Sequence, residues 1–132
     1  MRAKVLLCAV VCLTLTVAVA AQDAVKADPK HYTVVSENDQ VRILKVHYGP
    51  GEKSVMHSHP PNVAVFLTDA SVKFHLPGGK AEPGTGKSGE ARYSDGGTHM
   101  PENTGKAMDV ILIELKGKGA AKPAASQGDK KK

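Results

Sequence analysis

The sequence predicts an all-β domain, a small sandwich or barrel. Three observations carry that prediction. Apolar and β-branched residues recur in short runs, several with strict alternation. Glycine, proline, asparagine and aspartate separate those runs. No long segment repeats apolar residues at helical spacing. A closed barrel also removes the open edges that a small sheet would otherwise present.

The elements follow in chain order. Tyr32-Thr33-Val34-Val35 is rich in strand formers. From Gln40 to Tyr48, Val41, Ile43, Lys45 and His47 share one face, and Arg42, Leu44, Val46 and Tyr48 the other. Gly49-Pro50-Gly51 turns the chain. Residues 53–59 read as a strand ended by Pro60-Pro61, and 62–68 as an apolar, β-branched strand. Residues 71–76 alternate, with Val72, Phe74 and Leu76 on one face. Pro77-Gly78-Gly79-Lys80 signals a hairpin, and residues 81–90 are polar and glycine-rich. Residues 91–93 and 98–100 are short strands around the Ser94–Gly97 turn. After the turn at Asn103–Lys106, Met108 to Leu115 is the most apolar stretch.

The two ends differ from this middle. Arg2 and Lys4 precede an apolar run from Val5 to Ala20, broken only by Thr14 and Thr16 and closing on Ala18-Val19-Ala20. A charged start, an apolar middle and an A-x-A-like end describe a signal peptide over residues 1–20. The run falls short of the roughly 20 residues that span a bilayer, so no stable membrane anchor is expected. Export to a periplasm or to the outside is. Both cysteines, Cys8 and Cys12, lie in this run. The mature chain therefore has no disulfide, no thiolate metal site and no cysteine nucleophile. Residues 21–30 read as a linker, 31–116 as the domain, and 117–132 as a disordered Lys/Ala/Gly-rich tail that lacks the apolar side chains to offset its ordering entropy.

Charge is distributed unevenly. The whole chain carries a formal +5, but residues 21–115 hold ten basic and twelve acidic residues. The basicity belongs to the tail, which reads as solvated, and the domain offers no nucleic-acid face.

Six histidines are present: His31, His47, His57, His59, His75 and His99. In His57-Ser58-His59 the two rings share one strand face, close enough to converge on one ion. Alone, an H-x-H pair reads first as a polar strand face. Its setting adds weight: Gly51 precedes the pair, and Gly96-Gly97-Thr98 precedes His99. His31 and His47 are expected at the surface or rim, and His75, out of phase with Phe74 and Leu76, on the outer face. Tyr93, Phe66, Phe74 and Met100 are candidates for a pocket wall, with core packing the leading role for the two phenylalanines. Met56 and Met100 flank the histidines and point away from them.

At these positions the chain resembles the cupin superfamily, whose first motif runs G-x5-H-x-H-x3/4-E-x6-G. Gly51, His57 and His59 match it; Val63 or Ala64 stands where the acid belongs, and Ala70 or Ser71 where the glycine does. The second motif runs G-x5-P-x-G-x2-H-x3-N. Gly96, His99 and Asn103 match; Ser94 replaces the proline and Gly89 is one position off. The resemblance covers residues 40–116 and implies a cupin, or jelly-roll, β-barrel that commonly forms a homodimer. It also implies a divalent transition metal held by His57, His59 and His99 without the usual glutamate. Similar three-histidine cupins hold Fe²⁺ in dioxygenases, so Fe²⁺ is favoured, with Zn²⁺ or Mn²⁺ as alternatives. Glu102 and Glu114 are within sequence reach of the site, but both are expected to face solvent or the rim. The implied partner is a small-molecule substrate or ligand. Three readings stay open: an oxygenase, a metal-dependent binding or sensing module, and a barrel without metal. No carboxylate pair or nucleophile elbow selects among them.

Overall fold

A computed structural model describes residues 22–117. The expected signal peptide, and all of the expected tail after Gly117, lie outside the described residues. The described chain contains one short helix, α1 (Ala24–Ala27), and nine strands. The strands are β1 (Tyr32–Glu37), β2 (Val41–Tyr48), β3 (His57–His59), β4 (Asn62–Phe66) and β5 (Ala70–His75). They continue with β6 (Ala81–Gly86), β7 (Ala91–Ser94), β8 (Gly97–Asn103) and β9 (Met108–Leu115).

The strands form two antiparallel sheets. One has the order β1-β2-β9-β4-β7 and the other β3-β8-β5-β6. From β2 to β5 the chain changes sheet at every connection, and it does so again from β6 to β9. Pro60-Pro61 makes one such corner: neither proline can donate to a ladder, so pairing with β8 stops at His59 and pairing with β9 begins at Asn62. The inner faces meet in a core that includes Leu44, Val46 and Tyr48 of β2, Val72 of β5, and Met108, Val110 and Leu112 of β9. The alternation read in β2 is thus the observed one, with Lys45 and His47 outward.

Three local expectations are corrected, and the segment after the Pro77–Lys80 hairpin signal is a strand. Residues 53–59 do not form a continuous strand: Lys53 makes an isolated bridge to Glu102, and only His57–His59 pairs as a strand. The hydroxyl of Ser54 turns inward to Asp28 instead. Polar residues 81–86 form β6, because the pairing with β5 supplies what their weak strand propensity lacks. The segment expected as a linker is packed from residue 22 onward. Ala24 is fully buried, the Asp23 side chain caps α1 by accepting from Val25 N and Lys26 N, and Ser58 N donates to Gln22 O at 2.8 Å. His31, expected at the surface, is buried, stacked on Tyr48 at 4.1 Å between ring centroids, with Nδ1 2.6 Å from Asp28. A ring can bury this way because the neighbouring carboxylate satisfies its N–H.

Candidate metal centre

The three sequence-predicted histidines come together. In the β3–β8 ladder His57 pairs with His99 and His59 with Gly97. The period-two geometry of β3 puts both of its rings on the inner face, and the ladder brings His99 against them. The ring centroids of His57 and His99 are 5.0 Å apart, and those of His59 and His99 5.3 Å. One nitrogen from each ring lies within 4.8 Å of the other two.

Glycine makes this approach possible. Gly96 has φ +84°. A Cβ there would also sit 2.4 Å from the carbonyl oxygen of His59. Only glycine satisfies both conditions.

Hydrogen bonding sets which nitrogens face inward. His57 Nδ1 lies 2.8 Å from the Val55 carbonyl, and His59 Nδ1 2.7 Å from Glu114 Oε1. Both acceptors call for a proton on Nδ1, which leaves the Nε2 lone pairs free. Those two Nε2 atoms face each other at 3.0 Å. Two lone pairs at that distance repel unless a proton or a cation lies between them. His99 Nε2 is buried with no hydrogen-bond partner, an uncommon state for a buried polar atom. A shared proton would serve His57 and His59 only; a metal ion would serve all three. Burial, reinforced by His59 and His57, pushes the His99 imidazole down to about 3, and burial also lowers His57. Both rings thus favour the neutral form that ligates. The donor set fits a divalent transition metal.

The surrounding residues divide clearly. Glu114, expected to face solvent or the rim, is buried at 1% exposure between His59 and Arg42. Its sequence signal was its phase with Met108, Val110 and Leu112 along β9. That signal was masked because Ile111, Ile113 and Leu115 make the other face apolar too. Its register partner on β2 is Arg42, whose Nε donates to Glu114 Oε2 at 2.6 Å. Glu102 is turned to His75 Nε2 at 2.6 Å, away from the three histidines. His47 is exposed and pairs with Asp109. Asn103 is buried and donates to the carbonyls of Tyr48, Gly49 and Lys106, tying the Gly49 turn to the β8–β9 turn.

A cavity of about 480 Å³ adjoins the centre, lined by His59 and His99 and by Ala64, Phe66, Phe74 and Tyr93 among others. Met100, expected in its wall, is not part of the lining. Of the two positions where the motif's acid is missing, Ala64 is the one on the cavity. Its small side chain leaves the cavity wall open at that position. Phe74 stacks on His99 at 5.1 Å. Burial raises Tyr48 to about 12 and Tyr32 well above its usual range, so both stay protonated phenols, linked at 3.0 Å.

No family model matches the sequence. No curated protein matches it either. Solved structures do. A cupin domain from Bordetella pertussis Tohama I superposes with a TM-score of 0.60 at 22% identity, covering 65% of this chain and 92% of its own. A double-stranded β-helix protein from Klebsiella pneumoniae gives 0.52 at 18% identity, over 69% and 77%. An RmlC-like cupin family protein from Methanocaldococcus jannaschii gives 0.51 at 14%, over 64% and 77%. At these identities the likeness is one of fold. The chain thus has the double-stranded β-helix fold seen in these cupin-domain structures.

Proposed function

We propose that the protein is an exported metal-binding cupin. In this reading His57, His59 and His99 hold one divalent transition metal, ferrous iron in preference to zinc or manganese, and the adjoining cavity takes a small-molecule substrate. The observation that carries it is the orphaned Nε2 of His99 beside two inward-facing Nε2 atoms 3.0 Å apart. Iron at such a site supplies oxygen activation, and zinc or manganese supplies Lewis-acid polarisation. The chain's own residues bind and orient. Ala64 leaves room in the cavity wall, and Phe66 and Phe74 offer flat apolar surfaces in a half-open, largely apolar lining. With three neutral ligands and no carboxylate, the centre keeps its full positive charge for an anionic or chelating substrate.

A second reading is a binding or sensing module. One observation favours it: Glu82 is the single carboxylate in the described cavity lining, and it is exposed. A general base beside the histidines is therefore not supplied by an acidic side chain.

The test begins with untagged protein from the exported fraction, whose N-terminus is expected at Ala21. After anaerobic loading with Fe²⁺, Mn²⁺ or Zn²⁺, elemental analysis is expected to give about one equivalent, as a single three-ligand site requires. His57→Ala and His99→Ala should lose most of it, and His75→Ala should not. Stoichiometry well below one for every metal would overturn the metal reading. Oxygen uptake with thiols, diketones and flavonols then separates oxygenase from binder.

A further inference from the structure

Two hydrogen-bond chains run outward from the histidines, and both end on one short segment. The first leaves His59: Nδ1 to Glu114 Oε1 at 2.7 Å, Glu114 Oε2 from Arg42 Nε at 2.6 Å, and Arg42 Nη2 to the Asp23 carboxylate. The second leaves His57. Its Nδ1 lies 3.2 Å from Ser54 Oγ as well as 2.8 Å from the Val55 carbonyl. The Ser54 hydroxyl donates to Asp28 Oδ2 at 2.5 Å. Asp23 and Asp28 flank α1, and Ala24 between them is fully buried. The same segment also reaches Ser58, the residue between the two histidines, whose N–H donates to Gln22 O.

We propose that residues 22–28 act as a strap that sets the ring orientation and tautomer of His57 and His59, with Asp23 and Asp28 as its positioning residues. Its consequence for metal affinity rests on the metal-binding reading above; the tautomer effect stands without it. The physical basis is donor direction. The Asp28 carboxylate can only accept, so it draws the Ser54 proton towards itself. That leaves a Ser54 lone pair facing His57, which can accept from Nδ1–H but cannot donate to Nδ1. Both Ser54 and Val55 then favour the Nδ1–H tautomer, with Nε2 free. Asp23 acts at one remove. It anchors the Arg42 guanidinium, which in turn aims the Glu114 carboxylate at His59 Nδ1. Partners of this kind fix the tautomer of a ligating histidine and raise its basicity.

A substitution at Asp28 separates this role from simple packing. Asp28→Asn keeps the shape but can place an amide N–H₂ where Oδ2 now accepts from both Ser54 and His31 Nδ1. It then donates to Ser54, and His31 moves its proton to Nε2, where Glu52 accepts it. The hydroxyl is then free to donate to His57 Nδ1 and favour the opposite tautomer. Adding Ser54→Ala removes that donor and leaves the Val55 carbonyl to restore Nδ1–H. A purely structural role for Asp28 would not be rescued by a second truncation.

The experiment uses the full exported chain labelled with ¹⁵N-histidine, metal-free, at mildly alkaline pH. Long-range ¹H–¹⁵N correlation reads the tautomers. Wild type is expected to show Nδ1–H at His57 and His59, the Nδ1 partners Val55, Ser54 and Glu114 outweighing the repulsion of the facing Nε2 lone pairs, which a small displacement of the rings relieves when no ion lies between them. Asp28→Asn should shift His57 towards Nε2–H, and Asp28→Asn/Ser54→Ala should shift it back. Asp23→Asn, at the more exposed end of the strap, should weaken the Nδ1–H signature of His59 and keeps the test open if the Asp28 variant does not fold. Competition against a chromophoric chelator with Zn²⁺ should show affinity reduced about 10–100-fold for each single variant. Unchanged tautomers in the folded single variants would overturn the proposal, as would failure of Ser54→Ala to rescue. If wild type binds no zinc yet its tautomers follow the strap, the metal reading falls and the strap stands. If zinc binds and neither readout responds, the strap falls and the metal reading stands.

Discussion

His59 and Glu114 form a buried pair, with Nδ1 2.7 Å from Oε1 and side chains only 4% and 1% exposed. They are 55 residues apart in sequence and on different sheets, β3 in one and β9 in the other. The pair therefore links the sheet that carries the three histidines to the sheet that carries most of the apolar core. Arg42, across the ladder from Glu114, balances the carboxylate's charge.

Removing Glu114 should be costly. Glu114→Ala leaves Arg42 and the His59 N–H without their buried acceptor, and the expected loss is about 3–5 kcal/mol. Glu114→Gln keeps an acceptor but not the charge, so its loss should be about 1.5–3 kcal/mol, the scale of a hydrogen bond to a charged group. Urea unfolding of metal-free protein measures both. A loss under about 1 kcal/mol for Glu114→Ala would reduce the pair to the standing of a surface ion pair.

Acid should destabilise the metal-free protein in two stages. Burial, with His59 and His57 nearby, holds His99 at about 3 in the folded state, against an ordinary value of 6.5. The unfolded chain then binds the extra proton first. Stability is fully present above pH 6.5 and falls as pH drops towards 3. The slope is about 1.4 kcal/mol per pH unit for each such proton. His57, lowered by burial, adds to it. Carboxylates act at lower pH. Burial opposes ionisation of Asp28 and Asp23, but hydrogen bonds from Ser54 and His31, and from Arg42, outweigh it and lower both. Their contribution is present above the ordinary value of 3.8 and is lost as pH falls through their lowered folded values. Glutamates lowered from 4.5, Glu52 to about 2 among them, begin to contribute as pH approaches 4.5, so the slope between about pH 6.5 and 5.5 is that of His99 and His57. Denaturation at several pH values should show it shallower in His99→Gln by about one proton's worth. An unchanged slope would mean that His99 is not buried as a neutral ring.

Two glycines with nearly equal backbone angles offer a controlled comparison. Gly89 has φ +85° and Gly96 φ +84°. A Cβ on Gly89 meets nothing within 4 Å, while one on Gly96 meets the backbone of His59 and Pro60 at 2.4–2.7 Å. Gly89→Ala should therefore show only the conformational cost, about 1–2 kcal/mol. Gly96→Ala should cost more, because backbone atoms cannot swing aside, and it should also displace His59 and reduce metal uptake. Equal costs in chemical denaturation would mean that the β3–β8 corner is free to shift.

Much of the fold was legible locally. The face of β2 that carries Leu44, Val46 and Tyr48 could be read from period-two alternation, because that pattern is a property of the strand itself. Strand β6 could not: its residues, Ala-Glu-Pro-Gly-Thr-Gly, are poor strand formers held by pairing with β5. Nor could the strap. A stretch such as Asp23 to Lys30 reads as a linker until Arg42 and Ser54 are seen to receive its carboxylates.

The candidate site divides in the same way. The amino-acid order alone determined that His57 and His59 share a face, that glycine precedes both the pair and His99, and that no cysteine follows the apolar run from Val5 to Ala20. Backbone geometry links neighbours in sequence whatever the rest of the chain does. Tertiary structure alone decided that His99 lies across the ladder from His57, that β9 turns Glu114 rather than Ile113 inward, and that His31 is buried. These outcomes depend on which sheet covers which face. With both faces of β9 apolar, only the packing of one sheet against the other could choose between them.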